Sequence, residues 1–392
     1  MTARPVDVAP TGPVRFPDSG LGRGWEASAV IVLTILLLIF GLVSLYNASS
    51  IFAMEQELAD TYYVLRQGIG VAIGVVVMVI CAFIPYTVWS RLSWPLLLIS
   101  IGSLVLLVVP WTESIAPSIN GSRRWLRIGI TVQPSEFAKI AIVVWTAGMA
   151  VKKVSQFRSL RRGLAPFLVA WALLVLPIAL EPDFSTALLI GLLGLIIVFS
   201  AGARISHFIF LGLALAPIVY WQLAGVGFRL QRLLAWVNPA SDPAGAGFQA
   251  HQSLIAMGSG GITGVGIGQG RQRFGFLPEA HNDFIFSMIG EQWGLIGVLV
   301  LLMMYVALVL VGFRIASRAP DLFGELLALG FTSLIALQAL LHMAVGLSLL
   351  PTTGLALPLI SYGRSNLIVT LASLGILMSV ARMAPGIKAA RA

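Results

Sequence analysis

The sequence predicts an all-α polytopic membrane protein of ten transmembrane helices with both termini in the cytoplasm. Three observations carry this. The chain is 58% hydrophobic and only 10% charged, and its mean hydropathy of +0.94 lies outside the range of soluble domains. Apolar runs recur along it, many near the ~20 residues that cross a hydrocarbon core as a helix. Lysines and arginines gather in loops that fall on one side when those runs are counted as spans. The ten-residue alternation of an outer-membrane barrel is absent.

The runs cover roughly 27–46, 67–86, 94–110, 135–151, 164–181, 185–203, 206–224, 284–312, 322–348 and 366–382. The densest basic loop, KKVSQFRSLRR (152–162), carries Lys152, Lys153, Arg158, Arg161 and Arg162. Placed in the cytoplasm, it puts Arg91, Arg204, Arg314 and Arg318 on the same side, as an even number of spans requires. The net charge of +9 therefore reads as basic cytoplasmic loops rather than a nucleic-acid surface. Residues 1–24 are polar and rich in Pro and Gly, without the apolar core of a secretory signal. They read as a disordered cytoplasmic tail before an uncleaved signal anchor. Residues 25–383 form the membrane domain and 384–392 a short cytoplasmic tail. Cys81 is the single cysteine, so no internal disulfide is possible.

Two outer segments are too long for simple turns, 111–134 and 225–283. A loop near 60 residues is uncommon unless it is functional or has structure of its own. Within the second, FRLQRLLAWV (228–237) has helical spacing and reads as an interfacial segment anchored by Trp236. No internal repeat and no separate soluble domain are visible.

The outer segments hold the chemistry. In NGSRRWLRIGITVQPSEFAK (120–139), Arg123, Arg124 and Arg127 lie on the outer side, against the basic-loop trend. They are either interfacial arginines snorkelling beside Trp125 or an anion site, because guanidinium forks match phosphate oxygens. Glu136 and Lys139, three apart on one helix face, are either a structural ion pair or the lining of a polar cavity. In EPDFST (181–186), Pro182 ends one span and Asp183 suits the N-cap of the next. GSGGITGVGIGQGRQR (258–273) is neither a P-loop nor a dinucleotide fingerprint. It reads as a tight, backbone-exposing loop with Arg271 and Arg273 beside it. In LPEAHNDFIF (277–286), Glu279, His281 and Asp283 fall within five residues at the threshold of a span, with Glu291 two turns on. Capping accounts for one Asp; a partly desolvated carboxylate at a membrane boundary is also a candidate general base. LLPTTGLALPLISYGRSN (349–366) is broken by Pro and Gly, which at membrane depth is tolerated where the backbone is buried or lines a cavity.

Together NGSRRWLRIG, QPSEFAK, EPDFSTA, GFQAHQSLIAMGSGGITGVGIG, LPEAHNDFIF and LPLISYG resemble, in order, the motifs of the SEDS family (shape, elongation, division and sporulation), which includes FtsW, RodA and SpoVE. AHNDFIF and EPDFSTA look more like the FtsW branch than the RodA branch. The resemblance implies a GT-C-like SEDS fold in the bacterial cytoplasmic (inner) membrane, its active site facing outward. It implies a glycosyltransferase that polymerises lipid II into peptidoglycan strands. The implied partners are a class B penicillin-binding protein, other divisome proteins and membrane lipids. It places the catalytic Asp at Asp283 and the motif Arg at Arg124. Lys139, Glu136 and Gln133 match a second motif, and Gln252 and Ser253 a Gln-Ser pair. His281, Glu279, Arg271 and Arg273 are further candidates for binding substrate. A divalent cation, Mg or Mn, is a candidate to share the charge of a diphosphate, though no ligand set stands out. An elongation polymerase, a lipid II flippase, a non-catalytic scaffold and an O-antigen-ligase-like transferase are the rival readings. The chain departs from the family pattern at Asn282, at Thr353, at His342 and, most sharply, at Arg364 and Asn366, where Gly and Ser are usual.

Overall fold

The computed structural model describes residues 24–118, 122–157, 159–181, 183–224, 236–237, 245 and 247–384. Its helices are α1 (Trp25–Glu55), α2 (Tyr62–Phe83), α3 (Tyr86–Val108), α4 (Pro134–Lys153), α5 (Ala165–Leu180), α6 (Phe184–Ser200), α7 (Ile205–Ala224), α8 (Phe248–Ser259), α9 (Ile285–Ser317), α10 (Leu322–Gly346) and α11 (Arg364–Met383). A small antiparallel hairpin, β1 (Leu126–Ile128) and β2 (Ile130–Val132), pairs Leu126 with Val132 ahead of α4.

A helix occupies each of the ten apolar runs. Among the described residues, seven segments are long and apolar enough to cross a membrane: α1, α2, α3, Leu160–Leu180, α9, α10 and α11. The shorter α6 is apolar too. The expected tails and Arg158, Pro182 and most of the interfacial segment 228–237 lie outside the described residues. Trp236 is described, and its indole N–H donates to the Ser348 carbonyl at 2.9 Å. It is thus tied to the backbone beyond α10.

Burial separates the centre of the bundle from its rim. The apolar windows of α10 and α11 are 72% and 78% buried, against 28% for α2 and α3. The rim helices turn side chains such as Leu65, Ile99 and Leu173 outward, as helices facing lipid must. The α2–α11 pair is the most extensive contact in the fold, followed by α9–α10 and α3–α4.

The glycine-rich segment does more than turn the chain. α9 is interrupted at Gly294 (φ 64°, ψ −164°), which breaks the helical ladder. The freed groups are taken up by the glycine segment. Val265 N–H donates to Glu291 O at 3.0 Å and Gly266 N–H to Gln292 O at 3.2 Å. In return, Leu295 and Ile296 N–H donate to the carbonyls of Gly261 and Ile262 at 2.9 and 3.1 Å. Buried backbone must be paired, and most strictly where lipid replaces water. Gly264 (φ +83°) leaves no room for a side chain: a Cβ there would sit 2.2 Å from the Gln292 carbonyl oxygen. The carboxylate of Glu291 accepts from Arg271 N–H at 2.7 Å and more loosely from Gln272 N–H. Glu291, which sequence alone left unexplained, is the anchor of this returning loop.

Between α5 and α6 the two acids divide. Asp183 caps α6, accepting from Thr186 N–H at 3.2 Å, as expected. Glu181 ends α5 with its carboxyl buried and both oxygens without a partner among the described residues. Burial first, and then the nearby Asp183 charge, push its pKa up to about 8, against the pull of Arg124.

Two outcomes are expected. Gly264→Ala should lower the melting temperature of the detergent-purified protein by several degrees, since both the backbone angle and the close carbonyl oppose it. Gly258→Ala, where a Cβ meets nothing within 4 Å, serves as the control. For Glu181, the folded state holds the proton more tightly than the unfolded chain. Its contribution is therefore present below pH ~4.5 and lost as pH rises toward ~8. Glu181→Gln should flatten the fall of melting temperature across that window, and a pH slope identical to wild type would refute the assignment.

Candidate functional site

Among the described residues, five helices present their N-terminal ends to one cavity of about 890 Å³. Its lining includes Arg66 in the first turns of α2, Gln133 and Glu136 at the start of α4, Asp183 at the cap of α6, Asp283 just before α9 and Arg364 opening α11. Arg124, Glu279 and Asn282 complete the polar wall. Helix N-termini carry partial positive charge, so their convergence favours an anion.

The floor is a buried charged network. Lys139 is fully buried, and its ammonium donates to Glu136 Oε1 at 2.7 Å. The other oxygen of Glu136 accepts from Asn366 Nδ2 at 2.9 Å. The unusual Asn366 thus ties α11 to α4 through a full amide donor. Beside it, Gln133 N–H donates to Ser365 Oγ at 3.2 Å. Lys139 supports the cavity through Glu136 and does not line it.

The segment bearing Asp283 is held from behind. His281 is buried, with Tyr63, Phe52 and Tyr362 rings at 4.9, 5.0 and 5.9 Å. Desolvation lowers its pKa, with the Glu279 charge opposing. It acts as a neutral packing group. Tyr362 N–H donates to the His281 carbonyl at 3.1 Å, and Ser361 Oγ–H to the Asn282 carbonyl at 2.8 Å. Gln67 of α2 clamps the same broken segment, donating to Ser361 O at 3.0 Å and accepting from Gly363 N–H at 3.2 Å. The SYGRSN stretch therefore forms a wall of the cavity that Asp283 lines. Asp283 is not the cap of α9: that position is Phe284, and no side-chain cap bond is made there.

Of the residues singled out from sequence, Asp283, Arg124, Glu136, Gln133 and Glu279 meet at the cavity. Others do not reach it. Ser253 bonds Ser287 Oγ and Gly346 O, both at 2.6 Å. Gln252 accepts from Gln272 Nε2 at 3.1 Å. Arg271 stands beside Glu291, and Arg273 lies over the Phe274 ring at 5.4 Å. These four shape the returning loop. Arg66, Gln67 and Gln249 were missed, although a cation followed by an amide at the opening of an otherwise apolar span was a readable signal. Among the described residues, no three His, Cys, Asp or Glu side chains come together as metal ligands.

Known proteins place this architecture. A solved chain from work on "Structural coordination of polymerization and crosslinking by a peptidoglycan synthase complex" superposes with a TM-score of 0.76 at 27% identity, covering 93% of this chain and 98% of that one. The rod shape determining protein RodA of Thermus thermophilus superposes with a TM-score of 0.66 at 27% identity, covering 92% and 97%. In sequence, the chain is 40% identical to the probable peptidoglycan glycosyltransferase FtsW of Geobacter metallireducens, over 91% of this chain and 95% of that protein. It is 37% identical to the stage V sporulation protein E of Bacillus subtilis, over 90% and 96%. The family described as "Cell cycle protein", which joins FtsW, RodA and SpoVE, matches residues 27–385, and the chain belongs to it.

Proposed function

We propose that the protein is a peptidoglycan glycosyltransferase of the bacterial cytoplasmic membrane that polymerises lipid II, in the FtsW manner, during division. The observation that carries this is the meeting of Asp283 and Arg124 in one cavity edged by helix N-termini. That arrangement offers a base and an anion site at once. The 40% identity to relatives named FtsW supports the division branch over the elongation branch.

The membrane arrangement proposed is ten spans with both termini cytoplasmic. The long loop before α9 and the cavity then lie outside. The charge pattern supports it: Lys152 and Lys153 end α4, Arg314 and Arg318 end α9, and Arg382 ends α11. Each lies at the opposite end of its helix from the cavity. Arg314 and Arg318 are held there by Glu26 of α1, at 3.0 and 2.5 Å.

In the reaction the 4-hydroxyl oxygen of one lipid-linked disaccharide attacks the anomeric carbon of the growing chain. The new C–O bond forms as the bond to the diphosphate breaks, with inversion to a β-1,4 linkage. Asp283 takes the hydroxyl proton. The diphosphate leaves with the bonding electrons, and Arg124 and the helix termini offset its growing charge. Arg124 is oriented by its Nε–H, which donates to the Glu181 carbonyl at 3.3 Å. A class B penicillin-binding protein, which would cross-link the strands, is the proposed partner. The likeness to a chain of a peptidoglycan synthase complex that couples polymerization to crosslinking supports it.

The test is polymer formation from lipid II by the purified protein in detergent, with and without the cognate penicillin-binding protein. Asp283→Asn should reduce polymerisation by about 100- to 10,000-fold with an unchanged melting temperature; near-normal polymer would remove Asp283 from the role of base. Arg124→Gln should lower kcat more than it raises KM, because charge on the leaving group grows toward the transition state. No polymer in detergent together with lipid II transport by the protein reconstituted in vesicles would favour a flippase instead.

A further inference from the structure

Arg364 stands where the family pattern has glycine, and its setting gives it a use. It is the first residue of α11 and lines the cavity. Its stem lies across Gly70 of α2: a Cβ at Gly70 would come within 3.1 Å of Arg364 Cγ and 3.5 Å of its Cβ. The bare backbone of α2 is the bed on which this long side chain rests. One turn earlier, Arg66 lines the same cavity, its guanidinium 4.8 Å from the Tyr62 ring centre. Among the described residues, neither Arg66 nor Arg364 forms an ion pair with a carboxylate.

Two guanidinium groups thus share the wall made by α2 and α11. Arg124 belongs to the other side, bonded to the α5–α6 turn. α4 lies between, in contact with both α6 and α11. Of the acids that line the cavity, Glu136 is taken by Lys139 and Asn366 and Asp183 by the cap of α6, while Glu279 and Asp283 stand on the segment before α9. Arginines with no carboxylate partner among the described residues, one exposed and one half-buried at the cavity wall, suit an anion from outside.

We propose that Arg364, with Arg66, forms a second anion subsite in this cavity, which holds a diphosphate of a lipid-linked substrate. This rests on the glycosyl-transfer reading, in which two such diphosphates are present and only one departs. Both sources offer the same chemistry, and kinetics separates them. A subsite for the retained diphosphate binds ground state and transition state alike, so its loss raises KM. Loss of a subsite for the departing diphosphate lowers kcat instead.

The experiment compares wild type, Arg364→Gln, Arg364→Lys and Asp283→Asn in two measurements. The first is binding of inorganic pyrophosphate to the purified protein by calorimetry, which needs no turnover. A charge-assisted contact predicts a loss of about ten-fold or more in Arg364→Gln. Arg364→Lys should fall between, and Asp283→Asn should bind at least as well as wild type. The second is steady-state polymerisation, where Arg364→Gln should show either the KM or the kcat defect at unchanged melting temperature. Should Arg364→Gln fail to fold, Arg66→Gln gives the same readings and Arg364→Lys the intermediate ones. Polymerisation and pyrophosphate affinity both equal to wild type in these variants would overturn the subsite. Arg364-dependent pyrophosphate binding in a protein that makes no polymer would keep the subsite and overturn the polymerase reading.

Discussion

The site depends on a charge that has no access to water. Lys139 is wholly enclosed by the bundle. An unpaired ammonium there would cost several kcal/mol, so the fold is constrained to bring a carboxylate to it. Glu136 on the same helix supplies one oxygen to Lys139 and the other to Asn366 of α11. This requirement fixes where the N-terminal turns of α4 and α11 stand relative to each other. Gln133, Ser365 and Arg364 inherit their positions from it. Such a pair adds little net stability compared with apolar packing, but it tolerates few alternative arrangements. It holds a polar cavity open in a bundle whose hydrophobic side chains would otherwise close it.

A second constraint is the mutual dependence of broken segments. The stretch before α9 and the stretch before α11 are irregular, and they are joined through Tyr362 and Ser361, with Gln67 clamping the second from α2. Each also carries a non-glycine residue in the left-handed region, Glu279 at φ 54° and Leu359 at φ 67°. Conformations of this kind cost about 1–3 kcal/mol and persist where surrounding structure over-determines them. The aromatic rings around His281 and the clamp on SYGRSN supply that surrounding structure. Asp283 is therefore presented on a segment fixed before any substrate binds.

Much of this was legible in the sequence. Hydropathy located the helices because a membrane demands long, self-satisfied apolar stretches, and those are local signals. Asp283, Glu136, Glu279 and the arginines around Arg124 stood out because charged groups are rare in such a chain, while Gln133, and the choice of Arg124 and Asp283 among them, came from the resemblance to the family's motifs. The role of Asn366 could not be read, since its partner lies 230 residues away and the substitution from Ser looks mild in isolation. The glycine segment was recognised as backbone-exposing, yet nothing local states that it fills the break at Gly294. Arg271 and Arg273 looked available for substrate for the same reason: charge is visible in sequence, but the direction in which a loop folds back is not. Gln252 and Ser253 were singled out by the family's Gln-Ser pair, and the returning loop and the end of α10 took up their bonds.

The convergence of helix N-termini has a cost as well as a benefit. Their field stands in place before any substrate arrives, so the barrier to bond-making falls without reorganisation of the protein. The same field does not switch off when the reaction is over. A spent diphosphate carrier remains attracted to the spot where it was formed, and the next sugar cannot enter until it has gone. A catalyst built this way has to clear its product against the same field that helped to form it.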